Sequence, residues 1–148
     1  MKNKKNKVLI IGNEGQLGTT LVKLAERESF ANFISTGLSD LDVTKPENVN
    51  NYIKKHKPDF IVNCTAYTAV VNAEFEQETA YQVNTLGPEN IGKPANEIKA
   101  KVIHISTDYV FDGSSETPLK ETDATDPINV YGLTKLKGEQ ALAQSGAA

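Results

Sequence analysis

Three glycines at three-residue intervals, in Gly12-Asn13-Glu14-Gly15-Gln16-Leu17-Gly18, follow an apolar, β-branched run at 8–11. They precede a segment, 19–28, in which Leu21, Val22, Leu24 and Ala25 recur at helical spacing. The pattern reads as strand, glycine turn, helix. Glycine permits tight backbone angles and close approach of a ligand, while a helix start presents unpaired N–H groups and a partial positive charge. Such a turn suits an anion of the pyrophosphate type. Glycines alone also fit a plain strand-to-helix connection, and the spacing differs from G-x-G-x-x-G.

Alternation continues along the chain. A second strand is expected at 33–37, and Pro46 opens a helix through Ile53 that must end before Lys57-Pro58. A third strand falls at 60–64. Residues 74–95 read as helix in one or two pieces, because Pro88 and Pro94 each lack an N–H donor. The last apolar strand falls at 102–106 and the last helix at 130–143, separated by a turn-rich loop over 112–127. Continuous apolar strands alternating with helices predict an α/β fold, a doubly wound parallel sheet covered on both faces.

Composition narrows the classes of function. The 148 residues carry 16 Lys+Arg against 19 Asp+Glu, a net charge of −3 that fits one soluble domain able to bury its own core. The only basic cluster, the heptad MKNKKNK, reads as a solvated tail, so no nucleic-acid partner is expected. No apolar run approaches the roughly 20 residues of a membrane span, and the start lacks a signal-peptide stretch. Cys64 is the single cysteine, no Cys/His cluster has metal-ligand spacing, and a reducing cytoplasm is the expected setting. His104, between Ile103 and Ile105, reads as a packed residue.

Tyr131 and Lys135 stand four residues apart in the last predicted helix, which puts phenol and ammonium on one face, one turn apart. A neighbouring positive charge favours the phenolate, so the pair is suited to proton exchange with a carbonyl or alcohol oxygen. Solvated helices carry such pairs often. Ser106, Thr107 and Asp108 stand at the C-terminal end of the last strand, where open α/β sheets bind ligands. Ser106 or Thr107 could hydrogen-bond a reacting oxygen, or the three could simply end the strand. The end of the second strand, Ile34 to Leu38, has neither the acid that favours NAD nor an arginine for a 2′-phosphate, leaving cofactor preference open. Asp42 could meet an adenine amine or serve as a helix-leading acid before Pro46.

Together the blocks GNEGQLG, LDVT, PDFIVNCTAY with Thr68-Ala69-Val70, Asn84, STDYVFDG and NVYGLTK with Gly138-Glu139 resemble the extended short-chain dehydrogenase/reductase superfamily. Within it the chain is similar to the dTDP-4-dehydrorhamnose reductase family. The resemblance implies a Rossmann-like domain over 1–148 that takes NADPH or NADH. Gly12 would belong to the cofactor site, Gly15, Gln16 and Leu17 would meet the pyrophosphate, and Asp42 and Val43 the adenine. Ala66, Tyr67 and Thr68 would line the cofactor on the fourth strand. Thr107 would polarise a sugar carbonyl beside Asp108, Tyr131 would donate the proton, and Lys135 would hold the nicotinamide ribose and tune Tyr131. The implied partner is a dTDP-sugar, and a homodimer is left open.

Three departures from the family pattern stand out. Val71 occupies a position where the family usually carries an acid, and Pro94 should kink or end a helix that the family continues. The chain is also expected to stop before a C-terminal substrate-binding region, leaving a part that binds cofactor but turns over little sugar nucleotide. Two other readings share the motifs: a nucleotide-binding regulatory subunit without catalysis, and a nucleotide-sugar epimerase or dehydratase.

Overall fold

The computed structural model describes residues 5–147. The first four residues of the lysine-rich heptad lie outside the described residues. Its last member, Lys7, is part of a strand: its N–H donates to Asp59 at 2.7 Å and its Nζ to the His56 carbonyl at 3.1 Å.

Four parallel strands form one sheet in the order β2-β1-β3-β4, with β1 Asn6–Ile11, β2 Ala31–Thr36, β3 Phe60–Asn63 and β4 Lys101–His104. The helices are α1 Gln16–Ala25, α2 Pro46–His56, α3 Val70–Ala73, α4 Gln77–Tyr81, α5 Gly87–Ile98 and α6 Val130–Gln144. The α/β doubly wound arrangement read from the sequence is therefore present.

The core lies on one face of the sheet, where Leu9, Ile11 and Ile61 meet Val49 and Ile53 of α2 and Ile91 and Ala95 of α5, all within 0% exposure. Burial of each Leu, Ile or Val side chain among them stabilises the fold by about 1.5–3 kcal/mol. The opposite face carries Val8, Phe33, Phe60, Val62 and Ile103, and α1 packs over only part of it. Ile103 is 53% exposed and Phe30 69%. The expectation of a sheet covered on both faces is thus met on one face and only in part on the other.

The segment 74–95 is helical from Gln77 onward, as read from the sequence: α4 passes without a break through a π-helical turn, Gln82–Leu86, just ahead of Pro88 and into α5, while the short α3 lies before the segment. Widening there relieves the crowding of a proline ring against the preceding turn. Pro94 does not end the helix: α5 runs four residues beyond it and closes on Lys99 in the left-handed conformation, φ 60°. Packing of Ile91 and Ala95 against α2 holds the helix together at the cost of one backbone bond. Among the described residues no helix is long and apolar enough to cross a membrane, and no His/Cys/Asp/Glu group could hold a metal.

Candidate active site

Because the strands are parallel and in register, Ile11 beside Asn63 and Asn63 beside His104, the segments that follow β1, β3 and β4 emerge at one sheet edge. The glycine turn comes first. Gly12 has φ +85°, a conformation glycine adopts without penalty, and its N–H and that of Asn13 donate to the Thr36 carbonyl at 2.9 and 3.2 Å. Gly18 packs on the turn so closely that an added Cβ would sit 2.0 Å from the Gly12 carbonyl oxygen. Gly15 is different: only that same oxygen, at 3.5 Å, lies near its missing side chain. It also starts α1 without any side-chain cap, so the first helical N–H groups remain available.

Beside the turn opens a crevice of about 290 Å³ lined by Gly12, Gly15, Asp42, Val43, Ala66 and Tyr67 of the sequence-derived set. Glu14, Gly37, Leu38, Leu41, Cys64, Thr65 and Val83 also line it and were not foreseen. Gln16 and Leu17 form the adjoining first turn of α1, while Thr68 is exposed and outside the lining. Ala66, Tyr67 and Thr68 follow the third strand in the chain, not a fourth; β4 comes later, at the sheet edge. Four larger grooves, of about 320 to 470 Å³, open elsewhere, one between Tyr81 and Lys137 and the others along α1, β2 and the partly covered sheet face; none contains a residue of the glycine turn or of the Tyr-Lys pair.

Asp42 lines the crevice and also holds the turn ahead of α2. Its carboxylate accepts from the Thr44 N–H at 3.0 Å and Thr44 hydroxyl at 2.7 Å and pairs with Lys45 at 3.4 Å, while facing the crevice. The Thr44 hydroxyl holds its pKa below the usual carboxylate value, against an opposing effect of burial. It does not cap α2 itself, whose N-cap is Lys45.

The second half of the site is built by α6. Asn129 caps this helix, its Oδ1 accepting from the Gly132 N–H at 2.7 Å. Tyr131 and Lys135 lie one turn apart, as their spacing predicts. Both reach the segment carrying Thr107: the Lys135 ammonium donates to the Ile105 carbonyl, and the Tyr131 ring meets Tyr109 edge-on at 5.6 Å. Gly132 lets the helix approach, since a Cβ there would fall 2.1 Å from the Tyr109 carbonyl oxygen. Thr107 turns the chain after β4, its Oγ1 accepting from the Tyr109 N–H at 3.2 Å and donating to Asp108 at 3.2 Å.

Lys135 is 1% exposed, and burial lowers its pKa to about 8, partly countered by Glu139. Glu139 in turn accepts from the Ser106 hydroxyl. His104 is half-buried, as a packed residue would be, and burial together with the Lys135 charge lowers its pKa to about 4. Asn63 donates its amide to His104 Nδ1 at 3.1 Å, so the proton of the neutral ring is assigned to Nε2.

An apolar-walled crevice with open amides at one end suits a flat ligand bearing a diphosphate, and Tyr131 and Lys135 pack on the segment that carries Thr107 at the same end of the sheet. Comparison with known proteins agrees in kind. The family described as the RmlD substrate binding domain matches residues 6–148. The chain is similar to the dTDP-4-dehydrorhamnose reductase of Shigella flexneri, 45% identical over 141 residues, covering 93% of this chain and 46% of that protein. Against the Mycobacterium tuberculosis (strain ATCC 25618 / H37Rv) reductase identity is 38%, covering 96% of this chain and 47% of the relative. A crystal structure of the Bacillus anthracis reductase in complex with NADP superposes with TM-score 0.93 at 34% identity, covering 97% of this chain and 51% of that one. The chain spans about half the length of the curated relatives it matches. It belongs to the RmlD substrate binding domain family.

Proposed function

We propose that this chain is the cofactor-binding and catalytic part of a dTDP-4-dehydrorhamnose reductase. The reaction reduces the 4-keto group of dTDP-4-dehydro-6-deoxy-L-mannose, giving dTDP-L-rhamnose for surface polysaccharide. The observation that supports it most is the convergence of Tyr131 and Lys135 on the Thr107 segment, at the same sheet edge as the glycine turn.

NADPH or NADH would supply the hydride. The residues fit such a group: Gly15 leaves open space, the start of α1 is uncapped, and Leu41 and Val43 offer apolar walls beside Asp42. Gly12, Gly15, Gln16 and Leu17 would hold its pyrophosphate, Asp42 and Val43 its adenine, and Ala66, Tyr67 and Thr68 its middle. Lys135 would hold the nicotinamide ribose. Thr107 donates a hydrogen bond to the keto oxygen and draws electron density from its carbon, with Asp108 beside the sugar. Tyr131 gives its proton to that oxygen as the carbon is reduced, and the Lys135 charge compensates the phenolate left behind. Proton donation of this kind contributes about 10²- to 10⁴-fold in rate.

Residues 1–148 form one cofactor domain in this reading, with the sugar-nucleotide site completed by sequence that the longer relatives carry. A reducing cytoplasm is its setting, in keeping with the lone Cys64. The 148-residue chain should bind NAD(P)H and show little reductase activity. Calorimetric titration with each cofactor tests the first statement, and brisk sugar-nucleotide reduction by this chain would refute the second. In a full-length version Tyr131→Phe should keep cofactor affinity and abolish reduction; undiminished turnover would remove Tyr131 from its role.

A further inference from the structure

We propose that Glu14 makes this chain select the dinucleotide lacking a 2′-phosphate, NADH over NADPH. The inference rests on the reading that the crevice holds a dinucleotide, and names the residue that chooses between the two forms.

In folds of this kind the adenosine ribose lies at the end of the second strand, where an acid hydrogen-bonds the 2′-hydroxyl or an arginine accepts the 2′-phosphate. The end of β2 here, Thr36-Gly37-Leu38, supplies neither. The structure fills the position from a different element. Glu14, inside the glycine turn, directs its carboxylate to the end of β2, where Oε2 accepts from the Leu38 N–H at 3.3 Å. Gly37 makes the room, since a Cβ there would fall 2.7 Å from the Glu14 carboxyl carbon and 2.8 Å from Asn13 Oδ1. The turn is clamped in place by the bonds from Gly12 and Asn13 to the Thr36 carbonyl, 2.9 and 3.2 Å. Backbone geometry therefore brings Glu14 to that strand end.

The surrounding charge points the same way. Glu14 and Asp42 both line the crevice, and among the described residues no lysine or arginine does. The cation closest in the chain, Lys45, is paired with Asp42 at 3.4 Å. A carboxylate can accept from ribose hydroxyls. A 2′-phosphate would bring a charge of about −2 beside carboxylates, with no guanidinium to receive it and the Leu38 N–H already engaged.

The test is to titrate NADH and NADPH separately into the 148-residue chain, reading heat and nicotinamide fluorescence at low and moderate salt. NADH should bind at least about tenfold more tightly at low salt, the gap narrowing as salt rises. Glu14→Gln should weaken NADH and strengthen NADPH, so the ratio falls toward one, with an unchanged circular dichroism spectrum because Glu14 is exposed. As a measurement independent of any variant, ADP should displace bound NADH better than 2′,5′-ADP. Equal affinities, a preference for NADPH, or a ratio unmoved in Glu14→Gln would overturn the role of Glu14 while leaving the dinucleotide reading intact. Binding of neither cofactor would overturn that reading and the inference with it.

Discussion

The side chain of Asn84 closes on the backbone of Tyr67 at both ends, Oδ1 accepting from the Tyr67 N–H at 2.8 Å and Nδ2 donating to the Tyr67 carbonyl at 3.1 Å. The same Nδ2 reaches Thr134 Oγ1 on α6 at 3.2 Å, and Thr85 donates to the Thr134 carbonyl at 2.8 Å. The π-helical turn thus ties the loop after β3, which lines the crevice, to the helix carrying Tyr131 and Lys135. Asn84→Ala leaves backbone groups and a hydroxyl without partners and should cost about 1–3 kcal/mol. Urea denaturation measures this, and a change below a few tenths would show that the clip has no structural weight.

Gly15 and Gly18 separate binding from folding. Gly15→Ala meets only ordinary contacts and has a backbone any residue adopts, φ −76°, so its melting temperature should stay near that of the parent while cofactor affinity falls. Gly18→Ala drives a Cβ into the Gly12 carbonyl and should destabilise by about 1–3 kcal/mol or more. Paired melting curves and cofactor titrations check both. Full affinity in Gly15→Ala would move the pyrophosphate away from the turn.

Lys135 gives stability a defined pH dependence at the alkaline end. Its pKa is lowered from 10.5 to about 8 on folding, so between those values the unfolded chain holds a proton that the folded chain has lost. Stability should rise with pH across that window, and the contribution is absent below about pH 8. Urea midpoints measured from pH 7.5 to 10 should climb in the parent and climb less in Lys135→Met. Parallel curves would mean that burial of the amine is not what the geometry implies.

His104 acts at the acid end. Folding lowers its pKa from 6.5 to about 4, so the neutral ring favours the folded state above the upper value, and this contribution is lost as pH falls toward the lower one. From pH 7 to 5, where most carboxylates remain ionised, the parent should lose stability and His104→Gln should lose less. An equal loss in both would assign the acid sensitivity to other groups.

Much of this was legible in the sequence because it is local. The apolar runs at 8–11 and 60–62 mark β1 and β3, Pro46 and Lys57-Pro58 bracket α2, and the Tyr131–Lys135 spacing suits the helix that α6 supplies. What escaped depends on contacts between distant segments. Pro94 predicts a break, yet packing of Ile91 and Ala95 against α2 carries the helix past it. Exposure of Ile103 on the partly covered face follows from which helices lie there. The partners of Glu14 were hidden for the same reason: nothing within residues 12–18 tells that the end of β2 lies beneath its carboxylate. A glycine at the end of that strand, Gly37, was the available signal.

The most direct test of a dinucleotide crevice at this sheet edge is an amide NMR titration of the 148-residue chain with NADH. The expected shifts concentrate at Gly12 through Leu17, at Leu38 through Val43 and at Cys64 through Tyr67. Shifts centred instead on the groove between Tyr81 and Lys137, or none at saturating cofactor, would contradict the account.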